Sequence, residues 1–393
     1  MVTPTPYAST WVDVSLTAIQ ANARALRRRL RPTTQLLAVV KANAYGHGLL
    51  HVADALTAPR LVDFFGVATL AEGIALRNHG ISIPILILGQ ILPEEAPLVA
   101  RYTLTQTVCT KPVALALARA GQRAKEPVRV HLKVDTGMGR YGVWHDEALA
   151  FAQWLRRQSG VLMEGLYTHL ANAEGDRSFT QRQLATFRQL AAACERAGIY
   201  VPLKHTANSM GVLAYPDSHW DLVRAGLSLY GVSPKSDWRP PVSLKPALSW
   251  KARAAFVKEV PPGRTISYGA THRTRTHTTI ATLPVGYAHG YSRHLSNRAW
   301  AIVRGRRVPI IGRITMDHAM VDTGGILRVR VGDPVTLLGR DRDASVTAEE
   351  LAAWAGTIPY EILCNISYAV PRHYAPSGPM APAPSVRVSA APR

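Results

Sequence analysis

Eight short apolar runs recur over the first 226 residues of the chain. They are LLAVV (36–40), FFGVA (64–68), ILIL (85–88), LTQTV (104–108), VRVHLKV (128–134), MEGLYTH (163–169), PLKHT (202–206) and DLVRAG (221–226). Most are separated by segments in which apolar residues recur every three or four positions, as in SFTQRQLATFRQLAAACERAG, a period typical of amphipathic helices. Strands that alternate with helices pair in parallel, so the pattern predicts a (β/α)₈ TIM-type barrel, an α/β fold.

The periodicity changes after the Pro-rich segment SPKSDWRPPVSLKP, which runs from Ser233 to Pro246. Short alternating strands follow, such as HTTIATLPV, RAWAIVRG, RVPIIGRI, HAMVDT and DPVTLLG, and Gly-containing turns separate them. This pattern predicts a mostly-β second domain. One helix interrupts it at TAEELAAWAG, where Thr347 and Glu350 have the spacing of a capping box and Gly356 ends the helix.

These changes in pattern predict two domains and a tail. The barrel domain covers residues 12–240 and the mostly-β domain covers residues 241–375, with the N-terminal segment as a candidate addition to the second domain. The tail, residues 376–393, is rich in Pro, Ala and Ser and has no periodic apolar face. We therefore expect the tail to be disordered.

Composition limits the class of protein. With 393 residues, 47% of them hydrophobic, the chain can fill two cores. No apolar stretch approaches the roughly 18 residues that span a bilayer, and the start MVTPTPYASTW lacks the basic and apolar regions of a signal peptide. The separated cysteines Cys109, Cys194 and Cys364 suggest neither a disulfide framework nor a zinc site. We expect a cytoplasmic protein that does not bind membranes.

The net charge of +20 raises the question of nucleic-acid binding. Its densest basic segments, RALRRRLR (24–31) and HRTRTH (272–277), are short. The first lies on an amphipathic helix, where arginines normally form the solvated face. No basic motif with interleaved aromatic residues occurs, so we expect no specific nucleic-acid partner, and nonspecific polyanion binding stays open as a weak alternative.

The run LLAVVKANAYGHG (36–48) places Lys41 at the end of a buried strand. Burial lowers the pKa of a lysine towards the range in which its amine is nucleophilic. A lysine at a barrel mouth therefore suggests Schiff-base chemistry, for which pyridoxal phosphate (PLP) is the commonest aldehyde cofactor. The alternative is a barrel lysine that extends its amine to solvent.

Other candidate residues fall at or just after predicted strand ends, where barrel enzymes place their catalytic groups. These are Arg140, His169, Ser209 and Arg224. A histidine pair near Lys41, His47 and His51, has a spacing that could bind a metal, but no third ligand is evident. The sequence therefore predicts no metal site.

Five motifs carry a family resemblance. VVKANAYGHG (39–48), KVDTGMGRYG (133–142), ISYGATH (266–272), PVGYAHGY (284–291) and IGRITMDH (311–318) resemble motifs of the alanine racemase family, in the same order. The resemblance extends from about Trp11 to His373. It implies a PLP-dependent enzyme that interconverts L- and D-alanine for cell-wall precursors. A broader amino-acid racemase, acting for instance on serine, is the alternative of the same fold.

The resemblance also implies catalytic roles. Lys41 would hold PLP and act as one base, and Tyr268 would be the opposing base. Because Tyr268 lies in the β domain, the partner subunit would supply it, which implies a homodimer with shared sites. His169 and Arg224 would stabilise the Tyr268 phenolate, whose ordinary pKa is about 10. Arg224 would also face the pyridine nitrogen of PLP.

The remaining cofactor contacts are implied in the same way. Ser209, Gly226 and Leu227 would bind the phosphate of PLP, together with the hydroxyl groups of Tyr45 and Tyr360. Loops after the seventh and eighth strands of a barrel often bind phosphate, which agrees with the first three positions.

The family resemblance implies substrate binding by a further set of residues. Arg140 and the backbone N–H of the partner's Met316 would hold the substrate carboxylate, and Asp317 would support them. Lys133 is a possible carbamylated lysine that would orient Arg140. An unmodified Lys133 that points elsewhere is the alternative.

A gate formed by Tyr287 and Tyr360 would narrow the entrance and favour a small substrate. The chain departs from the family pattern nearby, with Ala270-Thr271-His272 after SYG, His289 where an acid is common, and Ala369 where an arginine is common. These departures leave the charge and shape of the entrance open.

Two related classes of protein fit the sequence less well. A decarboxylase of the same two-domain architecture would place an acidic residue at the pyridine nitrogen, where this chain has Arg224. A single-barrel PLP-binding protein would lack the β domain that carries Tyr268 and Met316.

Overall fold

The computed structural model describes residues 8–235 and 238–374 and contains the predicted barrel. Its eight parallel strands are Gln35–Val39, Phe64–Val67, Ile85–Ile87, Thr105–Val108, Val128–Asp135, Val161–Tyr167, Leu203–His205 and Leu222–Ala225. The first seven strands pair in chain order, and the eighth strand pairs with the first, with Arg224 opposite Leu37. Backbone hydrogen bonds from Asp221 to Lys204 and from Arg224 to Ala207, both 3.0 Å long, join the seventh and eighth strands. The predicted barrel fold is confirmed.

Helices precede and connect the barrel strands. They are Leu16–Arg27, Leu49–Thr57, Leu70–Asn78, Ala96–Arg101, Lys111–Ala124, Ala148–Arg156, Arg177–Arg196 and Ser209–Ala214. Their buried faces consist mainly of small and aliphatic residues, such as Val113 and Leu117. On the first helix Arg24 is exposed, while Arg27 pairs with Asp63 at 2.7 Å. The basic segment at residues 24–31 therefore lies largely on a solvated face.

Within the described residues, no helix has the length and apolar character needed to cross a bilayer.

The second domain is a mostly-β layer, as predicted. Its strands are Leu248–Arg253, Phe256–Val260, Thr265–Ile266, His272–Arg273, Thr278–Leu283, Trp300–Val303, Arg306–Ile311, Ala319–Asp322, Pro334–Asp341, Ala344–Val346 and Arg372–Tyr374, with helices Ala348–Ala355 and Pro359–Cys364. The strand Thr10–Val14 pairs with Leu248–Arg253 and Arg372–Tyr374, so residues that precede the barrel join this sheet. The boundaries of the two domains stay predictions, and the predicted disordered tail lies outside the described residues.

A buried asparagine joins the first helix to the segment between the domains. Asn22 has no exposed surface. Its Nδ2 donates to the carbonyl oxygens of Leu229 (3.1 Å) and Lys245 (2.8 Å), and its Oδ1 accepts from the Lys245 N–H at 2.7 Å. One side chain therefore satisfies three backbone groups where the chain leaves the barrel.

Replacing Asn22 with leucine should destabilise the fold. The change keeps the branched shape of the side chain but leaves those backbone groups unpaired, so we expect the free energy of unfolding to fall by about 1–3 kcal/mol. Urea denaturation followed by circular dichroism measures it. Asn78→Ala, at an exposed helix end, is the control and should change stability by less than about 0.5 kcal/mol. Equal stability of the two variants would show that the three hydrogen bonds contribute nothing.

Candidate active site

Lys41 begins a left-handed turn at the end of the first barrel strand. The four residues that follow it, 42–45, all have φ between 51° and 54°. None of them is glycine, and this conformation costs roughly 1–2 kcal/mol per residue. Such strain persists only where the surroundings impose it, and it concentrates at functional sites. The sequence did not predict this turn.

Glu72 holds the first half of the turn. One carboxylate oxygen accepts from the backbone N–H of Ala42 at 2.7 Å, and the other accepts from Ala68 (2.8 Å) and Thr69 (3.2 Å) at the end of the second barrel strand. Thr69 and Glu72 also form a capping box. Sequence reasoning missed Glu72, although the T-x-x-E spacing directly after an apolar run is a recognisable signal.

His47 holds the second half of the turn. This fully buried side chain places Nδ1 3.0 Å from the carbonyl oxygen of Ala44 and 2.8 Å from that of Tyr45. Since both partners are acceptors, Nδ1 carries the proton. Burial lowers the pKa of His47 to about 4 despite these hydrogen bonds. The neighbouring His51 stacks on Tyr374 with ring centroids 3.7 Å apart.

The environment of Lys41 favours its neutral amine. Burial, and then the positive charge of Arg140, lower the pKa of Lys41 below its ordinary value, while Cys364 and Glu72 act in the opposite direction. A lowered pKa increases the fraction of amine that can act as a nucleophile or a base.

Arg224 is buried and fixed from several directions. Nη1 donates to Nδ1 of His205 at 2.7 Å, and Nη2 donates to the carbonyl oxygens of Thr168 (2.9 Å) and Thr206 (3.0 Å) and lies 3.3 Å from Nδ1 of His169. Nε of Arg224 forms no hydrogen bond with any residue that the structure describes. Burial lowers the pKa of Arg224 to about 10, so the guanidinium stays charged at neutral pH.

His169 is neutral and lies among cations. Burial, followed by the charges of Arg224, Lys133, Arg140 and Lys41, lowers the pKa of His169 far below its ordinary value. Because Nδ1 faces a donor on Arg224, the proton of the neutral ring is on Nε2. The structure therefore brings Lys41, Lys133, Arg140, His169 and Arg224 into one electrostatic environment.

Lys133 is packed against aromatic rings. Its Nζ lies 3.5 Å from the ring centroid of Tyr141 and 5.9 Å from that of Tyr167. Burial, and then the charges of Arg140 and Arg224, lower the pKa of Lys133 to about 7. About half of this lysine is therefore neutral at physiological pH.

A tight cradle lies after the seventh and eighth strands. Ser209 Oγ accepts from the N–H of Gly226 at 2.9 Å and from that of Ser228 at 3.3 Å. A Cβ atom at Gly226 would lie 2.6 Å from the hydroxyl oxygen of Tyr45, so only glycine fits there. The Tyr45 and Tyr360 rings are 6.0 Å apart. With the buried Leu227, the cradle contains every residue that the sequence assigned to phosphate.

Three predicted residues of the β domain are exposed in the single chain, whereas Tyr360 joins the cradle. Tyr268 is 71% exposed, Met316 is 55% exposed and Asp317 is also exposed. Among the described residues, no hydrogen bond joins Tyr268 or Met316 to Lys41. The turn that carries the predicted gate residue Tyr287 is held to the Met316 loop, because Tyr287 N–H donates to the carbonyl of Thr315 at 3.1 Å.

One departure from the family motifs acquires a structural role. His289 Nδ1 accepts from the N–H of Gly286 at 3.3 Å, which closes the short turn that carries Tyr287.

Among the described residues, no group of three His, Cys, Asp or Glu side chains is arranged to bind a metal.

A buried polar chain behind Arg224 was also missed. It contains His205, His131 and Glu164. His131 could have been identified from the sequence, because residues at alternate positions of a strand share one face. His131 therefore lies on the same face of its strand as Lys133.

Comparisons with known proteins agree with this architecture. The family models for the N-terminal and C-terminal domains of alanine racemase match residues 14–234 and 247–374. The chain is 46% identical to an alanine racemase of Symbiobacterium thermophilum over 93% of this chain and 97% of that protein. It is 43% identical to one of Halothermothrix orenii, over 93% and 96%.

Solved structures agree as well. The fold matches alanine racemase from Clostridium difficile 630 with a TM-score of 0.89 at 34% identity, covering 94% of this chain and 96% of that one. It matches alanine racemase from Streptomyces coelicolor A3(2) with a TM-score of 0.89 at 35% identity, covering 95% and 99%. The chain therefore belongs to the alanine racemase family, whose members are amino-acid isomerases.

Proposed function

We propose that this alanine racemase interconverts L- and D-alanine with two bases, Lys41 and the partner subunit's Tyr268, and with PLP as its cofactor. The observation that carries the proposal is the placement of Lys41, a lysine of lowered pKa on a strained turn among Arg140, His169 and Arg224. Strained turns and perturbed pKa values both concentrate at active sites.

The side chains fit PLP. Lys41 would hold its aldehyde carbon, and the unused Nε of Arg224 is available to its pyridine nitrogen. The cradle of Ser209, Gly226 and Tyr45 has the small residue and hydroxyl groups that a phosphate requires, with Leu227 and Tyr360 beside it. When bound, PLP acidifies the α-hydrogen of an attached amino acid. Arg224 does not readily give up its proton, so it limits the electron withdrawal that would favour decarboxylation or transamination.

Racemisation requires one proton to leave one face of Cα and another to arrive at the opposite face. The Lys41 amine, whose lowered pKa increases its neutral fraction, would serve one face. Tyr268, largely exposed in the single chain, would serve the other face in a homodimer. His169 would donate from Nε2 to the phenolate of Tyr268, with Arg224 behind it. These contacts would stabilise the phenolate of Tyr268, the form in which it acts as a base.

Arg140 would bind the substrate carboxylate together with the backbone N–H of the partner's Met316, and Asp317 would support that loop. Lys133 would react with carbon dioxide through its neutral amine, forming a carbamate and releasing a proton. Its pKa of about 7 makes that amine abundant. The resulting anion would offset the charges of Arg140 and Arg224, which otherwise repel Lys133.

The gate of Tyr287 and Tyr360 favours a small substrate, although serine is close to alanine in size. Kinetics across a panel of amino acids would separate an alanine racemase from one of broader specificity. Cytoplasmic production of D-alanine for peptidoglycan is the physiological role that we propose.

Replacing Lys41 with alanine should abolish racemisation in both directions. It should also remove the visible absorbance band of covalently held PLP, because the chain loses the amine that binds it. Absorbance spectroscopy and a coupled D-alanine assay measure the two effects. Lys111→Ala, an exposed lysine beside Trp154, is the matched control and should behave as wild type. Normal turnover by Lys41→Ala would refute its role.

Mixing two inactive variants should restore activity if the sites are shared. A Lys41→Ala chain and a Tyr268→Phe chain each lack one base, and their heterodimer contains one intact site. Random pairing at equal amounts gives about one quarter of wild-type activity. Native mass spectrometry of differently tagged chains would verify that heterodimers form. Verified heterodimers without activity would contradict a shared site.

A further inference from the structure

A continuous chain of hydrogen bonds crosses the barrel interior behind Arg224. Nη1 of Arg224 is 2.7 Å from Nδ1 of His205, whose Nε2 is 2.8 Å from Nδ1 of His131. Nε2 of His131 is in turn 3.3 Å from a carboxylate oxygen of Glu164. Both histidines are completely buried. Barrel interiors are normally filled by branched apolar residues, so a polar chain through this one is a costly feature.

The protons in this chain can point in only one direction. Arginine has no acceptor, so Nδ1 of His205 must accept and Nε2 of His205 must carry the proton. That proton is donated to Nδ1 of His131, which leaves Nε2 of His131 as a donor. A chain that begins at an obligate donor must end at an acceptor, and Glu164 is that acceptor. Burial, assisted by the charge of Arg224, lowers the pKa of both histidines and keeps them neutral.

Two features of the backbone serve this arrangement. The fifth and sixth strands pair Val130 with Met163 and then His131 with Gly165, so Glu164 is the extra residue of a β-bulge. Bulges redirect side chains and are frequent beside active sites. At Gly165 a Cβ atom would lie 2.4 Å from the ring of His131, so the glycine makes room for the imidazole.

We propose that Glu164 is a positioning residue for Arg224, acting as the terminal acceptor that fixes both histidine tautomers and so the orientation of the guanidinium. This role rests on the proposed function, in which Arg224 faces the cofactor. The alternative is a structural ion pair, because Glu164 also lies 2.7 Å from Arg129. The side chain of Arg129 is 53% exposed, whereas that of Glu164 is 13% exposed. Because the Arg129 end of this pair remains largely in solvent, the pair contributes less than one buried at both ends.

Four variants show whether Glu164 acts as a hydrogen-bond acceptor or through its charge. Glu164→Gln keeps an acceptor for His131 but loses the charge, and Glu164→Met loses both. Arg129→Gln removes the ion pair and leaves the chain intact. His131→Met cuts the chain and leaves Glu164 paired with Arg129. The readouts are the Kd of PLP for the apo protein, titrated by absorbance, and kcat and KM for L-alanine.

We expect Glu164→Met and His131→Met to weaken PLP binding roughly tenfold, the equivalent of one lost buried hydrogen bond. Both should lower kcat while KM for alanine stays unchanged, because Arg224 does not hold the substrate carboxylate. Glu164→Gln and Arg129→Gln should stay within about threefold of wild type in PLP affinity.

Equal losses in Glu164→Gln and Glu164→Met would overturn the acceptor role. Wild-type PLP affinity in His131→Met would overturn it as well, even if Glu164→Met did not fold. Absence of PLP binding by the wild-type chain would instead refute the proposed function. The two failures are therefore distinguishable.

Discussion

Crowding of positive charge at the barrel mouth is the constraint on which the rest of the site depends. Lys41, Lys133, Arg140 and Arg224 share one partly dehydrated space. Burial, and then the repulsion among these charges, lower the pKa of both lysines and of His169. A site in this state favours anions, such as a phosphate, a carboxylate or a carbamate. It also supplies a neutral imidazole at physiological pH, and the lowered pKa of each lysine increases the fraction of neutral amine that acid-base chemistry needs.

Keeping these groups in place requires support from outside the mouth. Glu72 and His47 impose a left-handed turn that holds Lys41 at the strand end. Hydrogen bonds to carbonyl oxygens and to His205 hold Arg224 in place. In both cases hydrogen bonds fix a backbone segment or a guanidinium that could otherwise adopt several orientations. The barrel thus contributes a rigid frame, and in the proposed homodimer the exposed groups of the β domain would complete the partner's site.

The sequence predicted the features that follow from periodicity and local chemistry. Eight apolar runs gave the barrel, and burial at a strand end singled out Lys41. The left-handed turn was not predictable, because ANAY contains no glycine and its conformation depends on Glu72, thirty residues away in the chain. The roles of Glu164 and His131 depend on a β-bulge and on the direction of proton donation, which a sequence pattern does not carry. Tyr268 was identifiable only through the family motif, since its exposed position in one chain gives it no local signature.

The assignment of two bases to opposite faces is tested most directly by isotope exchange in the Tyr268→Phe variant. In deuterated water this variant should still exchange the α-hydrogen of D-alanine, the enantiomer that the family resemblance assigns to Lys41. Exchange into L-alanine and racemisation should fall by about 10²- to 10⁴-fold, the usual contribution of a general base. Equal exchange of both enantiomers would mean that one base serves both faces, and the role of Tyr268 would have to be withdrawn.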